Sequence, residues 1–94
     1  MEFDYDPKKD ALNRAQHGVS LAFGVCIFSD KSHLVVPTSR PEDGEDRWKV
    51  IGKVDGDFHT AVHLWRGNAI RFMSVCRSNT GEERLYHSAA SRPE

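Results

Sequence analysis

The apolar residues of this chain follow helical spacing in its first third and alternate with polar residues from about residue 47 onward. Near the N-terminus, Asp6-Pro7 is typical of a helix start, because a carboxylate accepts N-cap hydrogen bonds and proline suits the first helical position. Gly18 tolerates the left-handed conformation that ends many helices. The sequence therefore predicts a first helix from Pro7 to His17.

A second short helix is expected after Ser20, whose hydroxyl can cap it. The residues that share its apolar face at helical spacing are Leu21, Val25 and Phe28. Beyond this helix, residues 33–36 form a short extended run that ends at Pro37. Residues 38–46 are polar and are predicted to form an exposed loop.

The period-two pattern that begins at Arg47 predicts antiparallel strands joined by tight turns. Asp55-Gly56 matches the turn preferred by two-residue hairpins, and Gly67-Asn68 provides a second turn. These turns separate a second strand, Phe58 to Trp65, from a third strand, Ala69 to Cys76. In a regular third strand, the residues on one face are Arg71, Met73, Val75 and the following Arg77.

The closing segment has the spacing of a helix with a capping box formed by Thr80 and Glu83. Residues 91–94 are predicted to fray. The predicted order is helix, helix, three to four strands, helix, which indicates an α+β fold in one domain covering residues 1–94.

Composition narrows the class of protein. The chain has 94 residues, of which 38% are hydrophobic and 29% charged, as in folded globular domains. No segment resembles a signal peptide or reaches membrane-spanning length, so we expect a cytoplasmic protein without a membrane role. Its net charge of −1 counts against nucleic-acid binding that relies mainly on phosphate contacts.

Metals and cofactors are not expected. His59 and His63 have the spacing of a helical zinc pair, but on a strand they lie roughly 13 Å apart and cannot share one ion. The chain contains no phosphate-binding glycine loop and no dinucleotide fingerprint. Cys26 and Cys76 are predicted to be buried, reduced thiols in apolar segments.

The remaining candidates for chemistry are the basic side chains of the predicted sheet. Arginine forks can grip a phosphate through two hydrogen bonds and stabilise charge at phosphorus without a metal. The alternative is that these side chains form a solvated outer face. The residues concerned are Arg47, Lys49, Lys53, Arg66, Arg71 and Arg77.

Several segments of the chain form a recognisable series, namely Phe3-Asp4-Tyr5-Asp6-Pro7-Lys8-Lys9, Asn13 with His17-Gly18-Val19-Ser20, Phe28-Ser29-Asp30, Gly44-Glu45-Asp46-Arg47 with Ile51-Gly52, Ile70-Arg71-Phe72-Met73-Ser74, and the region from Glu82 to Tyr86. In this order they resemble the BrnT family of ribonuclease toxins from bacterial type II toxin–antitoxin pairs. Together they cover nearly the whole chain.

The resemblance implies a RelE-like fold, with a compact antiparallel sheet flanked by two N-terminal helices and one C-terminal helix. It also implies metal-independent RNA cleavage that inhibits translation. The implied partner is a ribbon-helix-helix antitoxin, BrnA-like, that neutralises the toxin in a hetero-oligomer and binds operator DNA. Arg47, Arg66 and Arg71 match basic residues of the family, and Arg77 is expected to contribute at the strand end.

Two positions depart from the family pattern. Cys76 stands where an arginine is expected, and the place of a histidine before the acidic-Arg motif falls near Pro41. A catalytically weak or silent module that binds an antitoxin and tunes its DNA repression is therefore an alternative. An unrelated α+β scaffold is a third possibility. Four residues are open as the group that moves a proton: His17, His63, Glu45 and Tyr86.

Overall fold

A computed structural model describes residues 2–90 of the chain. The last four residues, which were predicted to fray, lie outside the described residues. The elements in chain order are strand β1 (Glu2–Asp4), helix α1 (Pro7–His17), a 3₁₀ turn (Leu21–Phe23), helix α2 (Gly24–Phe28), strand β2 (Leu34–Pro37), a second 3₁₀ turn (Pro41–Asp43), strands β3 (Trp48–Val54), β4 (Asp57–Arg66) and β5 (Ala69–Arg77), and helix α3 (Thr80–Ala90).

The prediction of an α+β fold is confirmed, but the sheet differs from the predicted one. It has five strands in the order β1-β5-β4-β3-β2, and β1 pairs with β5 in parallel, so the sheet is mixed. The prediction of three to four antiparallel strands was wrong because β1 has only three residues and its partner lies at the other end of the chain. The Phe3 ring stacks on Phe72 at 5.5 Å between centroids, which anchors β1 to the core.

The first helix has the predicted bounds, and its caps explain them. The Asp6 side chain accepts a hydrogen bond from the Lys8 N–H group at 2.9 Å. Gly18 has φ of +75° and donates its N–H group to the Arg14 carbonyl oxygen. Both ends therefore satisfy backbone groups that the helix leaves free.

The second predicted helix is divided into two short elements, and both strand β1 and helix α1 precede it in the chain. It consists of the 3₁₀ turn Leu21–Phe23 and the five-residue α2, and Ser20 makes no side-chain capping bond. Leu21 and Ile27 are buried, whereas Val25 and Cys26 are exposed, so the prediction of a buried Cys26 thiol was wrong. A tighter turn shifts the buried positions to about every third residue, so the predicted face with Val25 was wrong.

A β-bulge interrupts β5 at Met73. Val62 pairs with Ser74 and His63 pairs with Phe72, which leaves Met73 without a cross-strand partner. An extra residue of this kind moves all following side chains to the opposite face. Arg71 and Arg77 therefore do not share a face, contrary to the prediction for a regular strand.

The register defines two faces of the sheet. The inner face carries Val50, Ala61 and Val75, which pack with Leu21 and Ile27 into the main core. The outer face carries, among others, Ile51, Thr60 and Cys76. Helix α3 packs against this outer face.

Helix α3 begins with a capping box that lies one residue earlier than predicted. The Asn79 side chain accepts from the Glu82 N–H group at 2.8 Å, and the Glu82 carboxylate accepts from the Asn79 N–H group at 2.9 Å. The prediction of Thr80 and Glu83 was therefore wrong. Glu82 also pairs with Lys49 at 3.1 Å and so attaches the helix to β3.

The Asn13 side chain closes the free edge of β5. Its amide nitrogen donates to the Val75 carbonyl oxygen at 2.8 Å, and its amide oxygen accepts from the Val75 N–H group at 3.0 Å. The side chain thus replaces a neighbouring strand just beyond the bulge. It holds α1 beside Met73 and Ser74.

Candidate functional site

A groove of about 450 Å³ lies on the outer face, beside the bulge. Val62 and Ser74, which pair across β4 and β5, both line it. Arg47, just before β3, and Lys9, on α1, also line it. The other lining residues are Thr38, Arg40 and Met73.

A smaller depression of about 240 Å³ adjoins this groove. The two share Lys9, Met73 and Ser74, and the smaller one also contains His17 at the end of α1. Among residues 2–90, no carboxylate lines either of them. The bulge thus lies between a cationic groove and an imidazole, and we refer to the two depressions together as the basic groove.

Arg47 is held firmly by its backbone. Its carbonyl oxygen accepts from the Thr38 N–H group at 2.9 Å, and its own N–H group donates to the Ser39 hydroxyl at 2.6 Å. Its buried guanidinium Nε atom has no hydrogen-bond partner in the described part of the chain. An unsatisfied buried donor costs about 1 to 3 kcal/mol, so a ligand that accepts from it gains that energy back.

The other three arginines predicted for the site each contact a carboxylate. Arg71 pairs with Asp4 at 2.7 Å, Arg66 with Glu45 at 3.5 Å, and Arg77 with Asp57 at 3.3 Å. A phosphate must compete with these carboxylates for the guanidinium groups. Among the four candidates and within residues 2–90, Arg47 alone forms no ion pair.

The sheet brings three of the four predicted arginines to one face. Arg66 and Arg71 lie on the outer face at the turn between β4 and β5, and they are diagonal neighbours there. Arg47 lies on the same face, two strands from Arg71, which is about 10 Å. Arg77 belongs to the inner face at the opposite end of β5, beside His59.

The four candidates for proton transfer are dispersed. His17 is exposed in the basic groove. Glu45 lies near Arg40 in a separate shallow depression and pairs with Arg66.

The other two candidates are buried away from the groove. His63 is on the inner face, 2% exposed, and burial lowers the pKa of its imidazole despite a weak hydrogen bond to the Ala61 carbonyl. Tyr86 donates its hydroxyl to Asp30 at 2.8 Å, and burial together with this bond raises the pKa of its phenol. Neither side chain reaches the basic groove.

Cys76, at the position that departs from the family pattern, is half-buried on the outer face. Burial and the nearby Glu82 carboxylate raise the pKa of its thiol, while Lys49 opposes this shift. A raised pKa keeps the thiol protonated at neutral pH, so it is a poor nucleophile. We therefore interpret Cys76 as a structural residue and not as a nucleophile.

Sequence reasoning missed two cationic residues of the groove. Lys9 could have been found, because Lys9, Asn13 and Gln16 recur at helical spacing and share one face of α1. Arg40 lies in the loop before β3 and pairs with the exposed Glu42 at 3.7 Å. No periodic signal marks a loop residue of this kind.

The described residues contain no group of three or more His, Cys, Asp or Glu side chains placed to hold a metal ion. Among the same residues, every helix is too short or too polar to cross a membrane.

The fold and the basic groove define a small α+β protein with a groove on its sheet that is lined by three cationic side chains. A family model described as the ribonuclease toxin BrnT of type II toxin–antitoxin systems matches residues 5–82. The chain therefore belongs to the BrnT family of ribonuclease toxins, and this family implies an antitoxin partner. A comparison with curated proteins finds no match.

Proposed function

We propose that the chain cleaves RNA in the basic groove, without a metal ion, and thereby inhibits translation. The unpaired and partly buried guanidinium of Arg47 carries this proposal. Lys9 and Arg40 line the same groove and add positive charge at the position of a bound phosphate. Preorganised cations in a partly buried groove stabilise charge that develops at phosphorus.

The reaction begins when a ribose 2′-oxygen attacks the adjacent phosphorus. The bond from phosphorus to the 5′-oxygen of the next nucleotide breaks, which yields a 2′,3′-cyclic phosphate and a 5′-hydroxyl. One group must accept the 2′-hydroxyl proton, and another must donate a proton to the leaving 5′-oxygen. Arg47 and Lys9 orient the phosphate and neutralise its charge.

We assign one of these proton transfers to His17. It is exposed in the smaller depression, across Met73 and Ser74 from Arg47. An imidazole ring carries one nitrogen that accepts and one that donates a hydrogen bond, so it can serve in either proton transfer. Arg66 and Arg71 lie on the same face and bind neighbouring phosphates after exchanging their carboxylate partners.

The proposed partner is a ribbon-helix-helix antitoxin of the BrnA kind. In this proposal it covers the toxin in a hetero-oligomer, and the complex reaches operator DNA through the antitoxin. The chain's own net charge of −1 agrees with an indirect contact to DNA, because direct binding to a duplex relies on an excess of cations.

Cleavage of a short RNA by purified Arg47→Ala tests this function. We expect a decrease in kcat/KM of about 100- to 1000-fold, since an oxyanion donor is lost. Arg14→Ala is the matched control, because Arg14 pairs with Asp10 on α1 and does not line the groove. A chelator such as EDTA should leave wild-type cleavage unchanged.

Induction of the wild-type chain in a bacterium without the antitoxin should arrest growth, and Arg47→Ala should not. Cleavage that persists in Arg47→Ala contradicts the proposed site. Absence of cleavage by the wild-type chain, together with tight antitoxin binding, supports the alternative of a catalytically silent module.

A further inference from the structure

A second groove lies on the inner face and has the opposite character from the basic groove. It measures about 540 Å³, and its walls are mainly apolar. Its principal lining residues are Phe28, His33, Val35, Trp48, His63 and Trp65, and we call it the apolar groove.

The apolar groove exists because helix α2 is too short to cover the inner face. Five residues of α-helix span only about 7.5 Å. The cross-strand pairs Trp48 with His63 and Trp65 with Ile70 extend past it. As a result Trp65, on the central strand β4, is 49% exposed, and Val35, on the edge strand β2, is 41% exposed. A concentrated apolar patch of this kind marks a binding surface.

Two imidazoles give the apolar groove a specific hydrogen-bonding character. The His33 Nδ1 atom lies 2.8 Å from the Asp30 carbonyl oxygen, and the His63 Nδ1 atom lies 3.5 Å from the Ala61 carbonyl oxygen. A carbonyl oxygen only accepts, so in each neutral ring Nδ1 carries the proton and Nε2 is an acceptor. An occupant should therefore bring a large apolar side chain with an N–H or O–H donor, such as tryptophan or tyrosine.

The chemistry of the groove argues against two other occupants. A second copy of this chain that docked by the same face would oppose two concave surfaces, which leaves both grooves unfilled. Residues 91–94 of the chain itself are Ser-Arg-Pro-Glu and contain no large apolar side chain. These two observations favour an occupant from a different protein.

We propose that the antitoxin docks in the apolar groove through an anchor side chain that is apolar and donates a hydrogen bond. This inference rests on the family membership and on the proposed toxin function, which together require such a partner. In this proposal the antitoxin covers the inner face. Anchors of this kind supply most of the binding energy of an interface.

Calorimetric titration of the purified toxin with its cognate antitoxin tests the docking site. Trp65→Ala should weaken binding at least about 30-fold, which corresponds to about 2 kcal/mol. His33→Phe keeps an aromatic ring, removes the acceptor and should weaken binding about 5- to 10-fold. Leu85→Ala is the control, because Leu85 is 45% exposed on α3 and lies outside the groove.

Circular dichroism confirms that each variant is folded, and RNA cleavage is measured separately. Trp65→Ala should keep wild-type cleavage. The cleavage assay and the binding assay therefore distinguish a failure of the proposed nuclease function from a failure of the proposed docking site. Equal binding of the antitoxin by wild type and Trp65→Ala overturns the proposal. A wild-type homodimer that Trp65→Ala dissociates, seen by analytical ultracentrifugation, also overturns it.

Discussion

The four candidate arginines differ mainly in whether a carboxylate lies beside them, and this difference cannot be read from their positions along the chain. Arg66, Arg71 and Arg77 each contact an acidic side chain, whereas the Arg47 Nε atom has no partner within residues 2–90. A paired guanidinium is already stabilised and gains less from a phosphate. Strand β5, which carries Arg71 and Arg77, therefore contributes less to the proposed site than Arg47 does.

Asn13 is expected to be the most important single polar residue for stability. Replacing it by alanine leaves the Val75 N–H and C=O groups without the partners that now bind them. Each unsatisfied buried group costs about 1 to 3 kcal/mol, so Asn13→Ala should lower the free energy of unfolding by about 2 to 3 kcal/mol. Urea denaturation measures this change.

Gln16→Ala provides the control for Asn13, since Gln16 is exposed on the same helix. We expect a change within about 0.5 kcal/mol. If Asn13→Ala is as stable as Gln16→Ala, the side chain does not protect the strand edge as described.

His63 should make stability depend on pH. Burial lowers the pKa of its imidazole below the ordinary value of 6.5, so the unfolded chain binds this proton more readily than the folded chain. Its contribution is therefore complete above pH 6.5 and is lost as the pH falls toward the folded pKa, with a slope of at most about 1.4 kcal/mol per pH unit.

Thermal unfolding of wild type and His63→Phe between pH 7 and pH 5 checks this expectation. The variant should lose less stability on acidification, because its ring does not titrate. Gln16→Ala, at an exposed position that does not titrate, serves as the control and should retain the wild-type slope. Identical slopes for wild type and His63→Phe would show that another group causes the acid sensitivity.

Two short elements, the bulge in β5 and helix α2, determine where the two grooves lie on the sheet. The bulge at Met73 divides β5 into a part that follows the expected alternation and a part that is inverted. The five-residue α2 covers only part of the inner face, and the apolar groove begins where it ends. Both proposed binding surfaces thus adjoin an irregularity of secondary structure.

Gly24 allows α2 to approach the sheet. A Cβ atom at this position would overlap the buried Phe72 ring. Gly24→Ala should therefore lower the free energy of unfolding by about 1 to 3 kcal/mol, as overpacked cores do. Gly81→Ala is the control, because a Cβ atom there meets only Asn79 Oδ1 at 3.4 Å, and it should stabilise α3 by about 0.5 kcal/mol. Chemical denaturation should show opposite shifts for the two variants.

For the molecule as a whole, the distribution of charge is more informative than its sum. A net charge of −1 argued against nucleic-acid binding at the level of composition. The structure places Lys9, Arg40 and Arg47 around one groove, whereas Arg66 and Arg71 lie outside its lining and pair with carboxylates. A small local excess of cations is sufficient for a short RNA segment.

Salt should weaken RNA binding to an extent set by this local charge. With about three phosphate contacts, the logarithm of the association constant should fall with the logarithm of salt concentration with a slope of about −2. A 2′-O-methyl RNA lacks the attacking hydroxyl, so fluorescence anisotropy can measure binding without cleavage. Arg47→Ala should reduce the slope by about 0.7, whereas Arg14→Ala should not. An unchanged slope in Arg47→Ala would place the phosphate elsewhere.

Much of the fold could be predicted because its signals are local. The caps at Asp6 and Gly18 defined α1, and the turn at Asp55-Gly56, where both residues have positive φ, defined the first hairpin. The capping box of α3 was displaced by one residue, since Asn79 and Thr80 are both acceptable caps in sequence. The division of the second helix into a 3₁₀ turn and a short α-helix has no marker in the local sequence pattern.

The sequence by itself determined the family, the α+β class, the first helix and the two hairpin turns, because residues a few positions apart decide these features. The tertiary structure decided which arginine is unpaired, where the bulge falls and which face each side chain occupies. These depend on partners far apart in the chain, such as Asn13 and Val75, which are 62 positions apart, and Asp4 and Arg71, which are 67 apart. Alternation along a strand cannot report an edge contact that comes from the other end of the chain.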